Sequence, residues 1–413
     1  MADKRSFPTG VGVDEARSRI VEIATERMLP AEHVTLEAAG GRVLAIDICA
    51  PFDVPGFVNS AMDGFAVRAE DLPASAEKPF RLLGQIFAGG DMAPEVLTDT
   101  CVRVTTGAPL PRGADTVVMK ENTRADGEHI LIAPGTASAA NVRPAGEDYA
   151  TGDLALKRGM RLTPARVGVI ASFGFAEVKV ARRPRAVLFT TGDELVAPGK
   201  PLGFGHIYDS NRFSLGGLLQ QHDVALLRHA RLRDDPIVLR DALLRAGADA
   251  DIIFSSGGVS AGEADFLPRL LAEIGEVYFW KVRMRPGMPF LFGKIGGALL
   301  FALPGNPVSG VATFLSLVKP ALQAMSGAES RGAALRARLR QAIRKRHART
   351  EFQRARLECD AGGILWATPL EKQGSGMLRG VAEADALVVL PEAVSEFAAG
   401  HVVDVLPLPG WPG

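Results

Sequence analysis

The sequence predicts a multidomain chain of α/β plus β class: a doubly wound α/β unit, a β-rich unit inserted before it, and a smaller β unit at the end. Two observations carry this expectation. In the middle third a short apolar run leads three times into a glycine-bearing loop: residues 186–189 into Thr190-Thr191-Gly192-Asp193-Glu194, 252–254 into Ser255-Ser256-Gly257-Gly258-Val259-Ser260, and 299–303 into Pro304-Gly305-Asn306-Pro307. On either side of that third, apolar residues come in short runs broken by glycine, proline and acidic turns, the pattern of strands. With 413 residues the chain also exceeds what one hydrophobic core serves.

Taken in order, Asp14-Glu15 starts an opening helix, and Ala16, Ile20, Ile23, Ala24 and Met28 recur at helical spacing up to Pro30. Runs at 43–46, 80–83, 101–104, 116–119 and 130–132 predict the strands of the β-rich unit. After the apolar run 167–171, Arg182-Arg183-Pro184-Arg185 marks a boundary. Strand and helix then alternate. Asp209-Ser210-Asn211 starts a helix carrying Leu215, Leu218 and Leu219, residues 224–227 form a strand, and Asp235-Pro236 supplies an N-cap and N1 proline. The last glycine loop leads into a helix over 308–322. In the tail, Leu335, Ala337, Leu339 and Ala342 alternate with arginines, and runs at 388–390 and 402–405 complete a β unit. The expected division is 1–50 with 146–183 as a helical linker unit, 51–145 as the inserted β-rich unit, 184–330 as the α/β unit and 331–413 as the C-terminal β unit.

Lys plus Arg equals Asp plus Glu at 47 each, so no global field draws the chain to nucleic acid or an anionic membrane. The basic string Arg344-Lys345-Arg346-His347 reads as a solvated strand face or loop. Cys49, Cys101 and Cys359 are odd in number and outside any CxxC spacing, which predicts a reduced, cytoplasmic setting. The start leads into no apolar signal region, and no run approaches the length of a spanning helix.

In an open parallel sheet the three glycine loops meet at the carboxyl edge, where backbone N–H groups approach a phosphate closely. One such loop is common to many folds. Three in one unit, with hydroxyl and amide side chains from Thr190, Thr191, Ser255, Ser256, Ser260 and Asn306, point to one extended phosphate-bearing ligand. Acids fall at the same edge: Asp193, Glu194, Asp209, Asp234, Asp235, Glu263 and Asp265. Carboxylates repel phosphates unless a divalent cation lies between them, so a magnesium-like ion is implied. Asp235 is better explained as a helix cap. Lys281, Arg283 and Arg285 share a face if their segment is extended, and three cations pointing one way suit an oxyanion. No HExxH, GxSxG or Walker spacing is present.

Taken together, Val54-Pro55-Gly56-Phe57 with Asn59-Ser60-Ala61-Met62-Asp63-Gly64, Thr106-Gly107-Ala108-Pro109, Gly146-Glu147-Asp148, Thr191-Gly192-Asp193-Glu194-Leu195, Tyr208-Asp209-Ser210-Asn211, Ser256-Gly257-Gly258-Val259-Ser260, Pro286-Gly287 and Leu303-Pro304-Gly305-Asn306-Pro307 resemble the MoeA family of molybdopterin molybdenumtransferases, shared with the C-terminal domain of gephyrin. The resemblance implies an α/β unit of molybdopterin-binding type and a β-barrel-like C-terminal unit. It implies insertion of molybdate into adenylylated molybdopterin with release of AMP, dependent on Mg2+. As partners it implies a homodimer with a site shared between subunits, a molybdopterin adenylyltransferase and recipient molybdoenzymes, with no nucleic acid and no membrane. Adenylyl transfer to molybdopterin and a gephyrin-like scaffold are the alternative readings.

Carried over by motif, the resemblance implies Asp63, Glu194, Asp234, Asp265, Lys281 and Arg285 as catalytic groups, with Glu194 and Asp265 on the metal. Thr106, Arg143, Asp148, Arg354 and Ser375 would complete the polar lining. The glycine loops would contribute Thr191, Gly192 and Asp193, then Gly257, Gly258, Val259 and Ser260, then Gly305, Asn306 and Pro307, with Asn211 beside them. Three positions depart from the expected pattern: Val58 replaces an Asp, Arg285 a Lys, and Met288 the Lys of a Pro-Gly-Lys-Pro loop. Weaker anion binding, or tungstate in place of molybdate, is the consequence to test.

Overall fold

The strands before the first and second glycine loops, Arg185–Thr191 and Ile252–Ser256, lie side by side and parallel. The structure is a computed structural model that describes residues 7–90, 94–258, 267–329 and 335–411. Around this pair runs a seven-stranded sheet in the order Thr9–Val11, Glu276–Val282, Leu291–Ile295, Ala298–Leu303, Ile252–Ser256, Arg185–Thr191, Ala225–Leu232. Only Leu291–Ile295 runs against its neighbours.

Period-two alternation explains the two layers. Leu188, Phe254 and Phe301 join one core with Ile20, Leu215, Leu219 and Phe314, whereas Val187, Ile253 and Leu300 join another with Leu239, Leu243, Leu267 and Leu271. Helices Val13–Thr25, Asn211–Gln221 and Pro307–Thr313 with its continuation therefore cover one face, and Pro236–Asp249 and Leu267–Ile274 the other. The sheet is doubly wound, as the sequence predicts. Because Arg185–Thr191 sits between strands reached on opposite sides, the topological switch point falls between it and Ile252–Ser256, directly under the glycine loops.

The sequence reading and the structure differ at several elements. The opening helix starts at Val13 with Gly12 as N-cap, leaving Asp14 and Glu15 as first-turn acids that favour its positive end. It stops at Thr25, and Met28 is exposed. Strand Thr9–Val11, too short to carry a pattern, pairs with Glu276–Val282, so the opening segment packs on the α/β sheet rather than on a linker unit. Residues 43–46 make only isolated bridges. The strand expected at 224–227 runs over Ala225–Leu232. Contrary to the sequence expectation, Pro307–Met325 is long and apolar enough to cross a membrane, although most of it is buried inside the fold. Asp235 caps its helix as expected, accepting from the Ile237 and Val238 amides.

The β-rich unit is a six-stranded sheet from Gly64–Val67 to His129–Ile132. The linking segment has its own core around Leu44, Leu162, Ile170 and Val180. In the tail, Thr350–Cys359, Leu365–Pro369, Leu335–Leu339, Val402–Pro407 and Ala386–Leu390 close into a five-stranded barrel, since the first also pairs with the last. The sequence reading of Lys345 as part of a solvated face is overturned by the structure. The side chain is buried, and its Nζ donates to the Arg349 and Pro391 carbonyls.

The boundary arginines fasten the linker to the sheet. Arg182 grips Asp251 with Nη1 and Nη2 at 2.9 and 3.0 Å, and the Arg185 amide donates to the same carboxylate at 2.7 Å. Burial works against the Asp251 carboxylate, but these bonds and the Arg182 charge outweigh it and hold its pKa below the usual carboxylate value. A depressed folded pKa contributes stability above the unfolded value and loses it as pH falls through the folded one. Asp251→Asn is expected to cost about 2 kcal/mol at pH 7, seen as a lower Tm, with the gap from wild type closing as the pH falls below about 4.

Candidate active site

Thr190 and Thr191 end the first strand buried, and there the chain turns into the loop. The Thr190 hydroxyl donates to Asp209 Oδ2 at 2.6 Å and lies 3.3 Å from His229 Nε2, while Asp209 Oδ1 accepts from the Arg212 amide. Asp209 thus braces the helix start Asn211–Gln221. Burial, then Arg212, pushes the His229 pKa below its ordinary value against the pull of Asp209, so the imidazole is neutral at pH 7. Gly192, at φ +146°, lets the Glu194 carboxylate fold over the loop, since a Cβ there would lie 2.5 Å from Glu194 Oε2.

Amide side chains then tie the loops together. Asn211 Nδ2 donates to Ser256 Oγ at 2.8 Å and the Gly305 carbonyl at 2.6 Å, and Asn306 Nδ2 donates to Ser375 Oγ of the barrel at 3.2 Å. Gly257, at φ +102°, presses on Thr191: a Cβ would sit 2.5 Å from its carbonyl and 2.6 Å from its hydroxyl. That hydroxyl is buried and has no hydrogen-bond partner among the described residues. Gly257→Ala combines a positive φ with two clashes and is expected to reduce turnover about a hundredfold or more by displacing the loop, with secondary structure retained by circular dichroism.

The loops frame a cavity of about 980 Å³. Of the residues expected at the site, Thr191, Gly192, Glu194, Asn211, Asp234, Gly257, Gly258, Arg285, Gly305, Asn306, Pro307 and Ser375 all line it. Val259, Ser260, Glu263 and Asp265 lie outside the described residues. Asp193 is exposed and outside the lining. Arg354 is also absent from the lining: it is buried beneath it, donating to Gln373 Oε1 and to the Met377 and Lys372 carbonyls, and so shapes the loop that carries Ser375.

The three cations of 281–285 do not share a face. Lys281 takes φ +64°, which rotates it out of alternation and lays its Nζ 4.1 Å over the Trp280 ring. Arg283 donates to Glu392 Oε1 at 2.7 Å beside a second cavity of about 930 Å³. Only Arg285 reaches the first cavity. Strand Met284–Arg285 pairs with Thr350 and Glu351 of the barrel, which brings in Arg349 and Glu351, two lining residues the sequence reading missed.

A separate group forms in the β-rich unit. Asp63 Oδ1 accepts from the Thr106 amide at 2.8 Å and its hydroxyl at 3.0 Å, bonds that hold the carboxyl below its usual pKa. Arg143 and Glu147 lie 3.9 Å apart nearby, and strand Val142–Arg143 pairs with Asn59–Ser60. Asp63, Thr106, Arg143 and Asp148 are all exposed and none lines the glycine-loop cavity.

Among the described residues no three carboxylate, imidazole or thiol groups gather as a metal cage. Mg2+ does not demand one, because it is held by one or two carboxylates together with substrate phosphates and water. The hard oxygen donors Glu194 and Asp234, lining one cavity with glycine loops, fit such an ion.

Comparison with known proteins follows this architecture. The model of the MoeA N-terminal region (domain I and II) matches residues 11–174, that of the probable molybdopterin binding domain 187–324, and that of the MoeA C-terminal region (domain IV) 336–408. The chain belongs to the MoeA family. It is 36% identical to the molybdopterin molybdenumtransferase of Haemophilus influenzae over 96% of this chain and 98% of that protein. It is 37% identical to molybdopterin molybdenumtransferase 2 of Mycobacterium tuberculosis, over 90% and 94%. The molybdopterin biosynthesis moeA protein of Pyrococcus horikoshii superposes with a TM-score of 0.84 at 29% identity, over 97% of this chain and all of that one. The chain is therefore an enzyme, a transferase of molybdenum cofactor biosynthesis.

Proposed function

We propose that this chain inserts molybdate into adenylylated molybdopterin and releases AMP, using Mg2+, in a cavity completed by a second copy of the chain. The observation that carries the reading is the convergence of three glycine loops with the carboxylates Glu194 and Asp234 in one cavity. Backbone amides of the loops bind the diphosphate. Glu194, with Asp265, would hold the ion, which neutralises diphosphate charge and favours departure of AMP. Arg285 neutralises incoming oxyanion charge, and the buried Thr191 hydroxyl finds its partner in bound substrate.

Exposed apolar side chains support the shared site. Phe57, Val58 and Met62 flank Asp63 in the β-rich unit, and Phe204, Ile207, Tyr208 and Phe213 flank Glu194 in the α/β unit. Two such fringes on one chain suit a two-fold dimer that lays the Asp63 group of one protomer over the cavity of its partner. The exposed free thiols Cys49 and Cys359 suit a reducing, cytoplasmic setting. Purified protein incubated with adenylylated molybdopterin tests the reading: AMP release should require both molybdate and Mg2+. Release independent of molybdate, or formation of adenylylated molybdopterin from ATP, would overturn it.

A further inference from the structure

The second cavity, of about 930 Å³, opens where the linking segment, the helix Pro307–Met325 and the barrel meet, and none of the catalytic or binding residues named above lines it. Its wall is shaped by one proline. Pro320 has no N–H to offer the Ser316 carbonyl four residues back, and just before it the helix widens into a π turn over Phe314–Val318. Arg17 of the opening helix takes up that carbonyl, its Nε donating at 3.2 Å. Lys319 follows directly, half-buried at the cavity wall. Facing it from the linking segment are Arg161, whose Nη1 donates to the Gly41 carbonyl, and Arg166, whose Nη1 donates to the Arg161 carbonyl at 2.5 Å. Among the described residues none of these three cations meets a carboxylate within ion-pair distance. The acids of the lining are engaged elsewhere or solvated: Asp14 pairs with Arg17, Glu392 with Arg283 and Asp404 with Arg336, while Glu15 and Glu329 are exposed. Burial, then the charge of Arg161, lowers the Lys319 pKa, and burial with both cations pulls His222 down to about 4, so the imidazole is neutral and brings no competing charge. A half-buried ammonium beside two guanidiniums is destabilising until an anion joins them.

We propose that Lys319, Arg161 and Arg166 form a second ligand site, which takes a small phosphate monoester. One ammonium and two guanidiniums match the charge and the several oxygens of a phosphate dianion. The cavity is far larger than a phosphate, and Met160 and Leu315 line it beside Arg161 and one turn before Lys319, so the ester carries an apolar body that lies against them. Because its wall is drawn from the linking segment, the α/β unit and the barrel together, a bound ester fastens the three to one another. The inference is independent of the transferase reading.

The test is calorimetry on the full chain with phenyl phosphate and with inorganic phosphate as probes. Lys319→Met and Arg166→Gln are each expected to weaken phenyl phosphate binding about tenfold or more, whereas Arg285→Gln, which reports on the glycine-loop cavity, should leave it within about threefold. Inorganic phosphate should bind more weakly than phenyl phosphate. A thermal scan gives a second arm: without ligand, Lys319→Met should raise Tm by about 2 °C or more, because it removes a desolvated charge that has no partner, and phenyl phosphate should then raise Tm in the wild type but not in the variant. Absence of phenyl phosphate binding to the wild type, wild-type affinity in both Lys319→Met and Arg166→Gln, or a loss seen in Arg285→Gln instead would each overturn the site. Inorganic phosphate binding as tightly as phenyl phosphate would overturn the monoester, and a lower Tm in Lys319→Met would show a lysine that serves the fold rather than a ligand.

Discussion

Glu194→Gln is expected to lower molybdate-dependent AMP release by about a hundredfold or more, with Tm unchanged. The side chain is exposed and has no hydrogen bond to another residue among those described, so its loss removes charge from the cavity without opening the fold. Its carboxylate lies folded back over Gly192, where an ion bound to a diphosphate on the loops would sit. Asp193, the preceding residue, makes the internal control. It is exposed and does not line the cavity, and Asp193→Asn should keep activity within about threefold. Raising Mg2+ should partly recover Glu194→Gln if the remaining carboxylates still bind the ion weakly. Equal losses at 193 and 194 would mean that the loop's net charge, rather than one placed carboxylate, is what counts.

Arg354→Met should have the largest effect on stability. Arg354 is 1% exposed, the bulkiest of the fully buried side chains among the described residues, and its guanidinium is held by Gln373 and two carbonyls of the 372–377 loop. Gln373 in turn donates to the Arg354 and Leu370 carbonyls. Methionine keeps the aliphatic stem but leaves several buried acceptors without donors, a cost of about 3 kcal/mol. The loop that carries Ser375 would lose its support, so activity should fall together with Tm. A variant that lost activity at unchanged Tm would show Arg354 touching substrate, as the family resemblance implies, instead of positioning the loop.

Much of the site was legible because hydrophobic runs and glycines are local signals. A short apolar strand runs straight into each glycine loop at Thr191, Gly257 and Gly305, and the parallel topology brings the three together. Arg349 and Glu351 were not legible for the opposite reason. They join the cavity only because Thr350–Cys359 pairs with Met284–Arg285, some sixty residues earlier in the chain, and nothing in the local pattern records that pairing. Lys281 misled because alternation assumes an extended backbone, whereas its φ of +64° breaks the register before Arg283 and Arg285. Strand Thr9–Val11 is three residues long and is fixed by its partner, not by its own propensity.

The central claim, that the Asp63 group and the Glu194 cavity serve one site from two protomers, is tested by mixing inactive chains. Glu194→Gln and Asp63→Asn proteins, each inactive alone, are co-refolded in equal amounts and assayed for molybdate-dependent AMP release. Random pairing gives mixed dimers with one intact site each, so about one quarter of wild-type activity should return. Activity no higher than that of either parent would place both carboxylates in the same protomer and contradict the account.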